Sequence, residues 1–180
     1  MSAAARAEEA LLRIKPHHFL DMIKLYGAGY ESFVPDETTG HAFYSVGNQI
    51  LRDPRTKLRF TFACDDVCGP CKWRQGTLCT DAVSGLGAYR GKDAYNKMLD
   101  ERLARLAGLK LDRIYTAEET CALLARHREA IFEVWSLEER ARLEKRYELF
   151  CKGCEKYLAR CEAAEEHAGA LAAQDEEAAR

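Results

Sequence analysis

The sequence predicts a mainly α fold: about five helices, one short strand or hairpin before a Cys-rich metal-binding loop, and a long C-terminal helix. Three observations carry that expectation. Apolar residues recur at helical spacing in several windows, the window from Thr56 to Ala63 alternates with a period of two, and beyond Ser136 an apolar four-three alternation is sustained. The 180 residues suffice for one hydrophobic core with an appendage.

Residues 1–14 are Ala- and Glu-rich, with Leu11, Leu12 and Ile14 as their apolar content, and read as an N-terminal arm. Pro16 suits the first position of a helix that Gly27 would stop, with Phe19, Leu20, Ile23 and Tyr26 facing the core. Gly27, Gly29 and Pro35 mark turns, and His41 to Leu51 reads as a short helix ending before Asp53-Pro54. Leu58, Phe60 and Phe62 alternate into the strand that leads to the cysteine segment. Glycines keep the chain irregular until Lys92, where Ala94, Tyr95, Met98, Leu99, Leu103 and Leu106 set up an amphipathic helix closed by Gly108.

Two capping boxes follow, Thr116 with Glu119 and Ser136 with Glu139. They predict helices over Ala117 to Trp135 and from Leu137 onward. The last carries Leu143, Tyr147, Phe150, Cys154, Tyr157, Cys161, Ala164, Ala168 and Leu171, a narrow stripe for a partner helix in the same chain or a second copy. The organisation expected is an arm (1–14), a Cys-rich iron–sulfur binding domain (15–110) and a helical C-terminal extension packing on it (111–180).

Twenty-seven basic against 29 acidic residues leave no electrostatic footprint for nucleic acid or an anionic membrane. No stretch approaches the apolar length of a membrane-spanning helix, and the expected compartment is the cytoplasm. In that compartment the eight cysteines are expected as metal ligands, redox groups or buried thiols rather than structural disulfides. They form two groups: Cys64, Cys68, Cys71 and Cys79 in one loop-like segment, and Cys121, Cys151, Cys154 and Cys161 in helical patterns.

The first group, in RFTFACDDVCGPCKWRQGTLCTD, has gaps of three, two and seven residues. Thiolates crowded into one loop suit an iron–sulfur cluster, whose iron prefers soft anionic ligands; Lys72, Arg74 and the amides around Gly69 and Gly76 are candidates to offset its charge. Structural zinc more often takes two close pairs well separated in sequence, yet four thiols here would tolerate it. A third reading, a thiol redox switch, comes from Cys68-Gly69-Pro70-Cys71. The thioredoxin fold itself is excluded, because that fold sets a proline opposite the pair downstream and no proline follows Pro70. Cys64 to Cys71 also matches the C-x3-C-x2-C spacing of radical S-adenosylmethionine enzymes. Pro70 stands where those carry an aromatic residue, and the region after residue 92 reads as helices without strands, so that assignment fails.

The combination KPHHFLDMIKLYGAGY, CDDVCGPC and GTLCTD resembles an uncharacterised bacterial and archaeal family, domain of unknown function 1284, described as iron–sulfur binding. The resemblance covers about residues 13 to 107. It implies an iron–sulfur cluster, and in many relatives a Cys shortly after the PHH pair, where this chain has Asp21. That departure leaves the fourth ligand to Cys64, to Asp21, to a histidine or to a substrate.

His17 and Asp21 stand one helical turn apart and share a face, while His18 points elsewhere with Met22. These three are the candidates for proton transfer or iron contact, against a plain reading in which His17 pairs with Asp21 and His18 is partly buried. Asp65 and Asp66 are expected to cap the turn at the cluster through backbone amides rather than to act as acid and base. Cys154 and Cys161 fall on the apolar stripe as small hydrophobes; Cys151 with Cys154 would make a second metal site only with Cys121 or His127. The expected function is an iron–sulfur protein with one [4Fe–4S] cluster on Cys64, Cys68, Cys71 and Cys79. Its role would be electron transfer with a redox partner protein or cluster-dependent chemistry on a small-molecule substrate. The alternatives are a zinc-stabilised interaction module and a thiol switch. The C-terminal helix is the candidate homo-oligomer contact.

Overall fold

The computed structural model describes residues 11–178, with side chains described up to residue 164 and at 166. Six helices and five short strands follow in the order β1 (Leu12–Ile14), α1 (Pro16–Gly27), α2 (Phe43–Arg52), β2 (Lys57–Phe60), β3 (Arg74–Gln75), β4 (Leu78–Cys79), α3 (Lys92–Ala107), β5 (Ile114–Thr116), α4 (Ala117–Arg126), α5 (Ala130–Val134) and α6 (Arg140–Ala178). The mainly α expectation holds, with more sheet than the sequence suggested.

The sheet explains two departures. Leu12–Ile14, expected within a loose arm, is a strand with Leu12 and Ile14 buried and Arg13 exposed, paired in parallel to β2. The rest of the arm, residues 1–10, lies outside the described residues. On the other side of β2, Ile114–Thr116 pairs antiparallel, which supplies a strand in a region expected to be helical throughout. β2 is therefore central, and its alternation reads as predicted over Leu58 and Phe60, buried between exposed Lys57 and Arg59; the strand ends at Phe60, so Phe62, expected to continue it, lies beyond it and is half-buried. Three residues per edge strand are too few to show a period of two, so each edge exists through its neighbour.

α1 is the helix around which the others gather. Phe19, Leu20, Met22, Ile23 and Tyr26 are all buried against α6 on one side and α3 on the other. Gly27 proves to be more than a stop signal. A Cβ there would collide with the Leu149 carbonyl, and one on Gly153 would collide with the Ile23 carbonyl, so this glycine pair sets how closely α1 and α6 approach.

The first capping box forms as expected. Glu119 N donates to Thr116 Oγ1 (3.0 Å) and Thr116 N to Glu119 Oε2 (2.7 Å). The helix it opens ends at Arg126, and a turn separates it from α5, where one continuous helix was predicted. At the second box, Ser136 Oγ accepts from Arg102 (3.2 Å) while Glu138 pairs with Arg146, and α6 opens only at Arg140. The α6 stripe is buried as expected at Leu143, Phe150, Cys154, Tyr157 and Cys161, with Tyr147 only half-buried and its hydroxyl bonded to Glu129 and Arg128, and it packs back on α1, α4 and α5. Ala164 is exposed, and the side chains of Ala168 and Leu171 lie outside the described residues. Among the described residues, no helix is long and apolar enough to cross a membrane.

Candidate metal centre

The cysteine segment leaves β2 and is folded back by its two aspartates. Asp66 Oδ2 accepts from Arg13 N (2.8 Å), and Asp66 N donates to Arg13 O (3.1 Å). Asp65 is fully occupied: Oδ2 accepts from Lys15 N (2.7 Å) and from His18 Nδ1 (2.8 Å), and Oδ1 from Cys68 N (3.1 Å). A carboxylate holding three N–H donors is a structural staple, as the sequence reading expected, and it fixes the cysteine loop to the start of α1. Burial alone would raise the Asp65 carboxyl, but His18 and these donors hold it well below the usual carboxylate range.

From Asp66 the chain turns through Gly69 and Pro70, with Cys71 N donating to Cys68 O (3.0 Å). No helix follows the Cys68–Cys71 pair. The chain enters instead the two-stranded hairpin β3–β4, turned at Gly76 with φ +62°. Cys79, opposite Arg74 in that hairpin, is tied to α3 by its N–H donating to Asp93 Oδ1 (2.9 Å). β1, α1, the turn, the hairpin and α3 thus converge on one place.

That place is a cavity of about 70 Å³ lined by Cys68, Cys71 and Cys79, together with Lys15, His18, Lys92 and the half-exposed Trp73. Cys64 stands behind this lining. It is buried, its N–H donates to Thr77 O (3.0 Å), and its thiol hydrogen-bonds Cys68. The structure therefore brings three of the four predicted thiols to the cavity wall and packs the fourth against one of them. All eight cysteines are free thiols. Burial, and then the Asp65 carboxylate, push the Cys68 thiol well up.

Lys15 is the residue that sequence reasoning missed. It is 1% exposed yet lines the cavity, with Cys68, Asp100, Asp65 and Cys64 around its ammonium. Burial works against its charge, but the surrounding Cys68, Asp100 and Asp65 outweigh it and raise the Lys15 pKa. The expected counter-charges are engaged elsewhere. Arg74 donates to the Gly69 and Gly76 carbonyls, and Lys72 lies over the Trp73 ring at 5.1 Å. Lys15 precedes Pro16 in a stretch that read simply as a helix start, and only the tertiary fold turns it toward the thiols.

The three candidates on α1 separate. His17 is buried against Asp100, which accepts from both its backbone N (2.9 Å) and its Nδ1 (2.8 Å), instead of pairing with Asp21. Asp21 faces α6 and binds Lys24 (2.5 Å) and Arg146 (2.9 Å), so neither it nor His17 lines the cavity. His18 does. Among the described residues, the group that draws three potential ligand atoms within 4.8 Å of one another is His18, Asp65 and Cys68, not a set of cysteines.

The second group of cysteines occupies the α4–α6 seam. Cys121, Cys154 and Cys161 are all buried, Cys121 hydrogen-bonds Cys154, and Cys161 Sγ donates to Tyr157 O (3.1 Å). The hydrogen bond to Cys154 and then burial raise the Cys121 thiol well above its ordinary value. Cys151 and Cys154 both line a surface cavity with Arg128 and Tyr147, and His127 lines a different one. Among the described residues, these cysteines and His127 do not bring three potential ligand atoms within 4.8 Å of one another.

The chain matches no family model, no curated protein and no solved structure.

Proposed function

We propose that this chain is an iron–sulfur protein whose cluster is held by Cys68, Cys71 and Cys79 in the cavity between the cysteine turn, the β3–β4 hairpin and α1. The carrying observation is the convergence of three thiols on one cavity that the buried Lys15 side chain also lines. A cluster with thiolate ligands carries net negative charge, and Lys15 supplies the fixed positive charge that would compensate it out of water. The resemblance of the PHH and CDDVCGPC stretches to a family described as iron–sulfur binding points the same way.

When bound, a cluster supplies one-electron transfer or a Lewis-acidic iron. The protein's residues do the rest. Asp65 fixes the turn that presents Cys68, Asp93 fixes the strand that presents Cys79, and the half-exposed Trp73 at the cavity wall suits contact with a redox partner protein or a small-molecule substrate. Anaerobic purification followed by an absorption spectrum with iron and labile-sulfide analysis tests the proposal. A brown protein carrying both is expected. A colourless protein loaded with zinc overturns it and leaves the zinc-stabilised interaction module, while a metal-free protein leaves the thiol switch.

A further inference from the structure

We infer that the fourth ligand of this centre is His18, through Nε2, with Asp65 as the residue that positions its ring and with Cys64 outside the ligand set. The inference rests on the iron–sulfur reading above and assigns the coordination position that reading leaves open.

The first argument is the hydrogen bond of the ring. Nδ1 lies 2.8 Å from Asp65 Oδ2, and the same carboxylate accepts from Lys15 N and Cys68 N. With Nδ1 turned to Asp65, Nε2 is the ring nitrogen left to meet a metal, on a ring that lines the cavity beside Cys68, Cys71 and Cys79. A carboxylate that fixes the far nitrogen of a histidine is the usual support of a metal-bound imidazole, since it sets both tautomer and ring direction.

The second argument is the linkage between His18 and Cys68. One carboxylate holds both, by Oδ2 to the imidazole and by Oδ1 to the Cys68 amide, so the two candidate ligands are placed by the same group. The neighbouring histidine gives an internal contrast. His17 has the same side chain and an equally short bond to a carboxylate, but its partner Asp100 is on α3 and its ring does not line the cavity. The third argument concerns the competitors. His41 also lines the cavity, but its Nδ1 accepts from Phe43 N (3.4 Å) and its Nε2 lies 3.3 Å from Asp36 Oδ2, so both of its ring nitrogens are engaged. Cys64 is buried and hydrogen-bonded to Cys68, and does not line the cavity.

Pulsed electron paramagnetic resonance of the reduced, anaerobically purified holoprotein tests this, with ordinary and with 15N-histidine-labelled protein. A nitrogen coupling that changes on histidine labelling is expected in the wild type and in Cys64→Ser, with iron content unchanged in that variant. His18→Cys should keep the iron, lose the coupling and lower the reduction potential, because an anionic thiolate replaces a neutral imidazole. A wild-type cluster without histidine coupling overturns the assignment and leaves the iron–sulfur reading intact. So does loss of iron from Cys64→Ser with His18→Cys spectroscopically identical to wild type. A wild-type protein without iron and sulfide overturns both together.

Discussion

The two cysteine groups of this chain have the same thiols in opposite settings. Cys68, Cys71 and Cys79 come from a turn and a hairpin with few apolar contacts of their own, held by hydrogen bonds from Asp65, Asp66 and Asp93 and surrounded by Lys15, His18 and Lys92. Cys121, Cys154 and Cys161 come from two helices, are buried in the hydrophobic core, and pack in the seam between α4 and α6. What separates the two groups is therefore the company: convergent charge around an open space in one case, mainly apolar packing between helices in the other.

The largest contrast comes from Cys71→Ser against Cys154→Ser. The first should reduce bound iron and sulfide more than ~10-fold with the fold retained, measured on anaerobically purified protein, because a wall ligand is lost. On another face of α6, the close α1–α6 contact is sensitive to volume. Gly153→Ala would drive a methyl group into the Ile23 carbonyl and should cost roughly 3 kcal/mol or more in denaturant unfolding, since backbone on both sides leaves nothing to give way. Cys154→Ser should leave iron binding unchanged and lower stability by about 1–3 kcal/mol through a hydroxyl in an apolar seam. Loss of iron from that variant would make the seam a second metal site and erase the contrast.

A smaller effect separates the polar rim of the seam from the loop. Burial would raise the Asp21 carboxyl, but Lys24 and Arg146 overcome it and hold its pKa below 3.8. A depressed carboxylate contributes stability that is fully present above its unfolded value near pH 3.8 and is lost as pH falls through its folded value. Asp21→Asn should therefore be less stable than wild type by about 1–2 kcal/mol at neutral pH. The gap should close in acid, as read by chemical unfolding at a series of pH values, with iron content unaffected throughout.

Much of the helical scaffold was legible because its signals are local. Pro16, the Thr116–Glu119 box, Gly108 with φ +72° and the stripe from Leu143 to Cys161 each work within a few turns of their own helix. The sheet edges were not legible, since Leu12–Ile14 and Ile114–Thr116 are strands only by virtue of β2 between them. The break between α4 and α5 escaped because nothing at residues 127–129 is a strong breaker. At the candidate site, the spacing of the cysteines picked out the loop, and the Asp65–Asp66 pair was recognised as a cap. The spacing could not show that Cys64 packs behind Cys68, or that the face shared by His17 and Asp21 is divided between α3 and α6.

The sequence by itself determined the helices, the central strand and the place of the cysteine loop, because backbone capping, hydrophobic period and residue spacing are short-range properties of the chain. Only the tertiary structure decided which groups meet there. Lys15 and His18 lie some fifty residues before the thiols, and they reach the cavity because Asp65 accepts hydrogen bonds from both, a long-range contact for which no local pattern codes.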